Sequence, residues 1–338
     1  MKWIDLRSDT VTKPTKPMLE AMVQAEVGDD VYGEDPTINH LEAIVAKMTG
    51  MESAIFCASG TQSNLLALMA HCNRGDEYIV GQLAHTYRYE GGGAAVLGSI
   101  QPQPLDFEPD GSLDLKKAAQ FIKPDDFHFA RTKLLCLENT HGGKVLPMDY
   151  IKDARNFVNT HNLGLHLDGA RVFNAAVKLK IQVTEITRHF DTVSCCLSKG
   201  LGAPVGSVLC GPEKIIHKAR RWRKILGGGM RQAGILAAAG IYALENNVDR
   251  LEKDHENART LALGLSEIKG IGINPDQVQT NILFVDIQGD IRSLYAHLKE
   301  KGIIIDQSNH LRLVTHLDIT PQDIEHTIGA FRTANSII

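Results

Sequence analysis

One lysine, Lys199, stands in CCLSKGLGAPVG (195–206) between an apolar run and a series of small residues. An ammonium group at such a junction loses hydration, so it either reaches back to solvent or does chemistry. Desolvation lowers a lysine pKa and frees the neutral amine, the nucleophile of Schiff-base formation. Asp168, in HLDGAR (166–171), ends an apolar run where an ionised carboxylate is costly without a cation or strong donor. A protonated ring nitrogen would serve, and so would a salt bridge to Arg171 or a helix cap. ASGTQSN (58–64) places Gly60 and Thr61 where a strand turns into a helix, and the open N–H groups there form either an anion site or a simple N-cap. His85 follows EYIVGQLA and can stack on a flat ring, while His128, in FHFAR, is a second acid–base candidate; either can equally be structural. An anion site, a carboxylate for a heterocycle nitrogen, an aromatic platform and a lysine amine together suit pyridoxal 5′-phosphate.

These residues share one property: each lies just past an apolar run. SAIFCAS, EYIVGQ, KLLCLEN, GLHLDGA, TVSCCLS and GSVLCG are strand-length and apolar on both faces, and amphipathic stretches separate them. That pattern predicts an α/β domain, a mostly parallel sheet covered by helices, whose ligands collect at the carboxyl ends of the strands. Asp168 and Lys199 are one βα unit apart, which predicts adjacent strand ends. ILAAAGIYALENNVDRLEKDHENARTLALGLSEI reads as one or two helices bridging to a smaller α+β unit. In that unit TNILFVDI and LRLVTHLD are strands, IRSLYAHLKEKG is a helix ended by Gly302, and TPQDIEHTIGAFRTA is a helix capped by Thr320. The expected division is an arm over 1–40, a large domain over 41–245 and a small C-terminal domain over 246–338.

The chain has 338 residues, 43% of them hydrophobic, and a formal charge of −4, so it can bury a large core and has no general attraction for nucleic acid or anionic membrane. Its basic stretch KIIHKARRWRK (214–224) is read as a solvated helix face or a subunit contact before a nucleic-acid patch. Six cysteines without CxxC spacing point to reduced, buried thiols. No zinc motif is present, and GLGAPVG does not fit the dinucleotide fingerprint G-x-G-x-x-G. Neither an apolar leader nor a run of about 18 apolar residues occurs, so the expectation is a cytoplasmic protein with no membrane partner.

With these residues assembled, the chain resembles the low-specificity L-threonine aldolases, pyridoxal-phosphate enzymes of the aspartate aminotransferase-like fold. The similarity runs through DLRSDTVTKP (5–14), VGDDVYGEDPT (27–37), ASGTQSNL (58–65), GGAAVLGSIQPQP (92–104), LENTHGGKVLP (137–147), HLDGARVFNA (166–175), CLSKGLGAPVGS (196–207), RWRKILGGGMRQAGILAAAGIYAL (221–244) and LRLVTHLD (311–318). It implies a seven-stranded sheet, with Lys199 bonded to the cofactor and Asp168 at its pyridine nitrogen. Gly60 and Thr61 would hold the phosphate, His85 would stack on the ring, and Arg171 would lie near the ring oxygen or the substrate carboxylate. Ser8 and Arg312 match positions that hold the substrate carboxylate. Tyr32, Lys224 and Arg231 fall in segments sent towards a neighbouring subunit's site, Arg231 among the cofactor contacts, which implies a homotetramer built from dimers. The implied reaction splits threonine into glycine and acetaldehyde, with His85, His128 or a water as base; transamination and β-elimination are the alternatives on the same fold. LAHTYRYE (83–90) departs from the family pattern at Thr86 and Arg88, beside His85, which bears on the choice between threonine and allo-threonine.

Overall fold

A computed structural model describes residues 3–334. Seven strands form the central sheet: β1 (Ser53–Cys57), β2 (Asp76–Gly81), β3 (Gln101–Leu105), β4 (Arg131–Glu138), β5 (Gly164–Gly169), β6 (Thr192–Cys196) and β7 (Ser207–Gly211). Their spatial order is β1-β7-β6-β5-β4-β2-β3, and only β7 runs antiparallel to its neighbours. β2, β6 and β7 are buried along their whole length, as strands covered on both faces must be. The mostly parallel seven-stranded sheet expected above is therefore present. Its edge strand β3 reads QPQPL and escapes the apolar pattern: Pro102 and Pro104 cannot donate to a second ladder, and an edge strand needs none.

The helix Gly60–His71 is buried continuously from Ser63 to Ala70, lying between the sheet and the helix Glu213–Ile225. Ser59 caps it, its hydroxyl accepting from Gln62 N at 3.1 Å. The basic helix Glu213–Ile225 spends two of its cations internally. Arg223 donates to Asp30 (2.6 Å) and to Phe56 O (2.7 Å), both partners buried, and Arg220 pairs with Glu42 (2.8 Å). The stretch read as one or two helices is two, Gly234–Asn246 and Leu251–Ser266.

A second core gathers Ala258, Leu261 and Leu265 with Leu283, Val285, Leu311, Leu313 and Phe331 beside a three-stranded antiparallel sheet. Thr320 caps the last helix, Pro321–Thr333, in a reciprocal box with Asp323. The N-terminal strand Ile4–Asp5 pairs with Ile303–Ile304, and Ile4 and Leu6 join this second core, so the arm is stitched to the C-terminal unit. That stitching carries the next residues, Ser8 and Asp9, towards the strand ends of the central sheet. All six cysteines are free and buried, and among the described residues no helix is long and apolar enough to cross a membrane.

Candidate active site

Asp168 lies at the carboxyl end of β5, in register with Ser194 of β6. Lys199 follows β6 in the next loop, so the two are brought to adjacent strand ends. Asp168 is 3% exposed, with Oδ1 accepting from Ala170 N (3.1 Å) and Oδ2 from Asn64 Nδ2 (2.9 Å). No cation bonds to it among the described residues; burial, and then the nearby Glu138 carboxylate, push its pKa up. Arg171 does not pair with it. The Lys199 ammonium exerts a Coulombic pull on both Asp168 and Asp9 but has no hydrogen bond or ion pair of its own among the described residues. Among the described residues, a buried acid with no bonded cation and a lysine with no bonded partner therefore lie within Coulombic reach of each other.

Behind the sheet's carboxyl edge, the first two N–H groups of the helix Gly60–His71, on Gly60 and Thr61, take no acceptor among the described residues, whereas Gln62 N is used by the Ser59 cap. The loop 227–229 packs on this turn closely: a Cβ on Gly228 would come within 2.2 Å of the Gln62 side chain. Asn139, just past β4, donates its backbone N–H to Asp168 O (2.9 Å), and its fully buried Nδ2 has no partner among the described residues.

His85 is half-exposed and held at two points. Its backbone N–H donates to Glu138 Oε2 (2.8 Å), and its ring Nδ1 lies 2.8 Å from Glu90 Oε1. The Glu90 hydrogen bond raises the His85 pKa, with burial opposing. Glu138 also meets His141 Nδ1 at 3.1 Å; burial pushes the Glu138 pKa up, but these hydrogen bonds outweigh it and hold the carboxyl below its ordinary range.

The arm closes the other side. Asp9, fully buried, accepts two parallel bonds from Arg171, Nε and Nη2 each at 2.7 Å, and one from Asn281 Nδ2 at 3.2 Å. Burial alone would raise the Asp9 pKa, but Arg171 outweighs it and holds the carboxyl well below the usual range. Arg312, half-buried, gives one bond to Arg7 O (3.1 Å) and has no carboxylate partner among the described residues; burial and the neighbouring Arg171 lower its pKa. Ser8, next to Arg7, caps the turn Asp9–Val11 by accepting from Thr10 N. Two guanidinium groups and one internal carboxylate thus leave an excess positive charge where a substrate carboxylate can sit.

The remaining candidates are not brought to this group. His128 is two-thirds exposed and bonded to Asp126 (2.6 Å). Tyr32 is exposed, Lys224 likewise, and Arg231 pairs with Asp29 at 2.9 Å on the surface. A cleft of about 390 Å³ opens nearby, lined by Leu83, Phe107, His141, Lys144, Phe284 and His310, and it includes none of Lys199, Asp168 and Arg312. Sequence reasoning missed Asp9, Asn64, Glu90 and the pairing role of Glu138: Asp9 and Asn64 meet partners far along the chain, and the near partners of Glu90 and Glu138, His85 and His141, carry no motif that marks the pairing.

Beneath the site, burial lowers the pKa of His166 to about 3 and that of His71 to about 4. Both sit below the unfolded value of about 6.5, so the unfolded chain takes up their protons first, and the stability present above pH 6.5 is lost as the pH falls below it. Each is expected to remove about 2 kcal/mol between pH 7 and pH 5. Urea unfolding at the two pH values checks this, and an unchanged midpoint would contradict it.

Residues 5–288 match the family model described as beta-eliminating lyase. The chain is 55% identical over 330 residues to the low specificity L-threonine aldolase of Escherichia coli (strain K12), covering 97% of this chain and 98% of that one. The solved Leishmania major threonine aldolase superposes with a TM-score of 0.84 at 20% identity, over 98% of this chain and 99% of that chain. A solved SPT structure with PLP gives a TM-score of 0.77 at 17% identity, over 99% of this chain and 87% of that chain. The last two likenesses bear on the fold alone.

Proposed function

We propose that this chain, which belongs to the family of low-specificity L-threonine aldolases, is a carbon–carbon lyase that splits L-threonine, L-allo-threonine and related β-hydroxy-α-amino acids into glycine and an aldehyde. The observation that carries the reading is the pair at the ends of β5 and β6, a buried carboxylate with no cation bonded to it and a lysine with no hydrogen bond or ion pair among the described residues. Product analysis tests it: with L-threonine the protein should yield equimolar glycine and acetaldehyde. A 2-oxo acid or ammonia in their place would move the assignment to transamination or β-elimination.

The residues fit pyridoxal 5′-phosphate. Asp168 needs a cation such as a protonated ring nitrogen, Gly60 and Thr61 offer open N–H groups to a phosphate, and Asn139 Nδ2 is a buried donor awaiting an acceptor. When bound, the cofactor supplies the electron sink that lets the Cα–Cβ bond break heterolytically. The chain supplies the rest. Lys199 Nζ would anchor the cofactor, and Asp168 would keep a proton on its ring nitrogen. Arg171, its Nε and Nη2 held by Asp9, has Nη1 left for the ring oxygen or the substrate carboxylate. Arg312 and Ser8 bind the substrate carboxylate, and a bidentate guanidinium suits that anion better than an ammonium does. Arg312→Lys should therefore raise KM for threonine about tenfold or more, with a smaller change in kcat. An unchanged KM would remove Arg312 from the binding site.

His85 would cover the ring and move the proton. With Glu90 accepting from Nδ1–H, its Nε2 carries the lone pair and can take the β-hydroxyl proton. His85→Asn should lower kcat by about 10² to 10⁴-fold. Wild-type turnover in that variant would return the role to a water, since His128 reaches no group of this site in its own chain.

Tyr32, Lys224 and Arg231 support a homotetramer in which they complete a neighbouring subunit's site. They lie exposed, and Ile225 beside Lys224 and Val31 beside Tyr32 are exposed apolar side chains that a second copy would cover. Six buried free thiols support a reducing, cytoplasmic setting.

A further inference from the structure

Two carboxylates of the site are joined by a single amide. Asn64 is 1% exposed, one helical turn beyond Gly60 on the same helix. Its Nδ2 donates to Asp168 Oδ2 at 2.9 Å and to Glu90 Oε1 at 2.8 Å, and its Oδ1 lies 3.2 Å from His166 Nε2. Glu90 Oε1 in turn holds His85 Nδ1. The ligand atoms of His85, Glu90 and Asp168 all lie within 4.8 Å of one another, and the two amide protons between the carboxylates account for that closeness without an ion.

The direction of every proton in this network follows from the chemistry of its members. Burial and a neighbouring carboxylate's charge push both pKa values up, but with both carboxyls ionised each only accepts, so both Asn64 donors are spent on Asp168 and Glu90 and its Oδ1 must accept. His166 Nε2 therefore carries a hydrogen. Burial keeps His166 neutral, with a pKa of about 3, so its Nδ1 is bare and accepts from Thr192 Oγ1, 2.8 Å away. That hydroxyl, having spent its proton, accepts from His71 Nε2 at 2.9 Å. From His71 through Thr192 and His166 to Asn64, every donor points towards the two carboxylates.

We propose that Asn64 is a positioning residue that fixes Asp168 against the cofactor's ring nitrogen and, through Glu90, fixes the His85 ring with Nε2 free for the substrate, so that one amide sets both the grip on the cofactor and the placement of the base. This rests on the reading of Asp168 and His85 given above. Supporting groups one step removed from a bound ion or cofactor commonly change affinity or activity about 10 to 100-fold. The turn that offers Gly60 and Thr61 N–H to the phosphate belongs to the same helix, so one rigid element would fix the phosphate, the ring nitrogen and the base together.

The test compares wild type, Asn64→Leu, Asn64→Asp and Glu90→Gln, reading two quantities: the Kd of pyridoxal phosphate for apo-protein, by absorbance titration without substrate, and kcat and KM for threonine at saturating cofactor. Both Asn64 variants should weaken cofactor binding about tenfold or more and also lower kcat about tenfold or more, with KM changed less than threefold. Glu90→Gln should lower kcat while leaving the cofactor Kd within about threefold of wild type. Asn64 variants that match wild type in both quantities, or lose only one of them, overturn the coupling. Should neither variant fold, nitrogen NMR of histidine-labelled wild type decides: His166 should be neutral with its proton on Nε2, and a proton on Nδ1 would reverse the amide and overturn the proposal. Wild-type protein that binds no cofactor, or releases no aldehyde, would instead defeat the reading beneath it.

Discussion

Lys199→Ala is expected to lower aldehyde release from L-threonine by at least about 10⁴-fold while leaving the fold intact. The magnitude follows from losing a nucleophile held in place, since positioned groups act with effective molarities of 10⁵ M or more. The fold should survive because the Lys199 ammonium makes no hydrogen bond or ion pair among the described residues. A surface-like change of that kind alters stability by about 0.5 kcal/mol or less. Lys199→Arg separates charge from nucleophilicity. It keeps a cation near Asp168 and Asp9, yet a guanidinium stays protonated and cannot attack a carbonyl, so it should be as inactive as alanine. Coupled aldehyde assays with thermal melts check both variants. More than about 1% of wild-type activity in either would contradict the assignment of Lys199.

Asp9→Ala should be the most damaging change to stability among the site residues. Asp9 is fully buried, and its two 2.7 Å bonds neutralise an Arg171 that is itself nearly covered. Removing one member of a buried pair leaves the other charge desolvated and unpaired, a cost of about 3–5 kcal/mol. Asn281 Nδ2 loses its acceptor as well. The melting temperature should fall by on the order of 10 °C. Arg171→Met added to Asp9→Ala should recover much of the loss, because the orphaned charge goes with it. A calorimetric scan of the two variants gives the answer, and a single variant within about 1 kcal/mol of wild type would show that Arg171 finds another partner. Catalysis should also suffer in the single variant, since the guanidinium beside the substrate carboxylate would no longer be held in place.

Much of this arrangement is legible in the sequence because the fold converts short spacings into neighbourhoods. The interval between Asp168 and Lys199 is one βα unit, and parallel pairing of β5 with β6 places such residues side by side. Gly60 and Thr61 were readable from a strand, a small-residue turn and a helix in succession. β3 was not, because Pro102 and Pro104 erase the apolar alternation that an edge strand can do without. Asn64 and Glu90 gave no local signal either. Their roles depend on contacts across 104 and 26 positions, and a polar residue on a buried helix looks like any other until its partners are in place. The same holds for Asp9, 162 positions from Arg171. His128 shows the opposite case: residue type suggested an acid or base, but its nearest partner is Asp126, two positions away on an exposed loop.

The most direct measurement of the central claim is a visible absorption spectrum of the wild-type protein with pyridoxal phosphate, recorded before and after L-threonine, with an aldehyde-coupled reaction in the same cuvette. A protein-bound yellow chromophore that changes on adding threonine, with acetaldehyde released in step, is the expected result. A colourless protein after added cofactor, or a yellow one that releases no aldehyde, would contradict it.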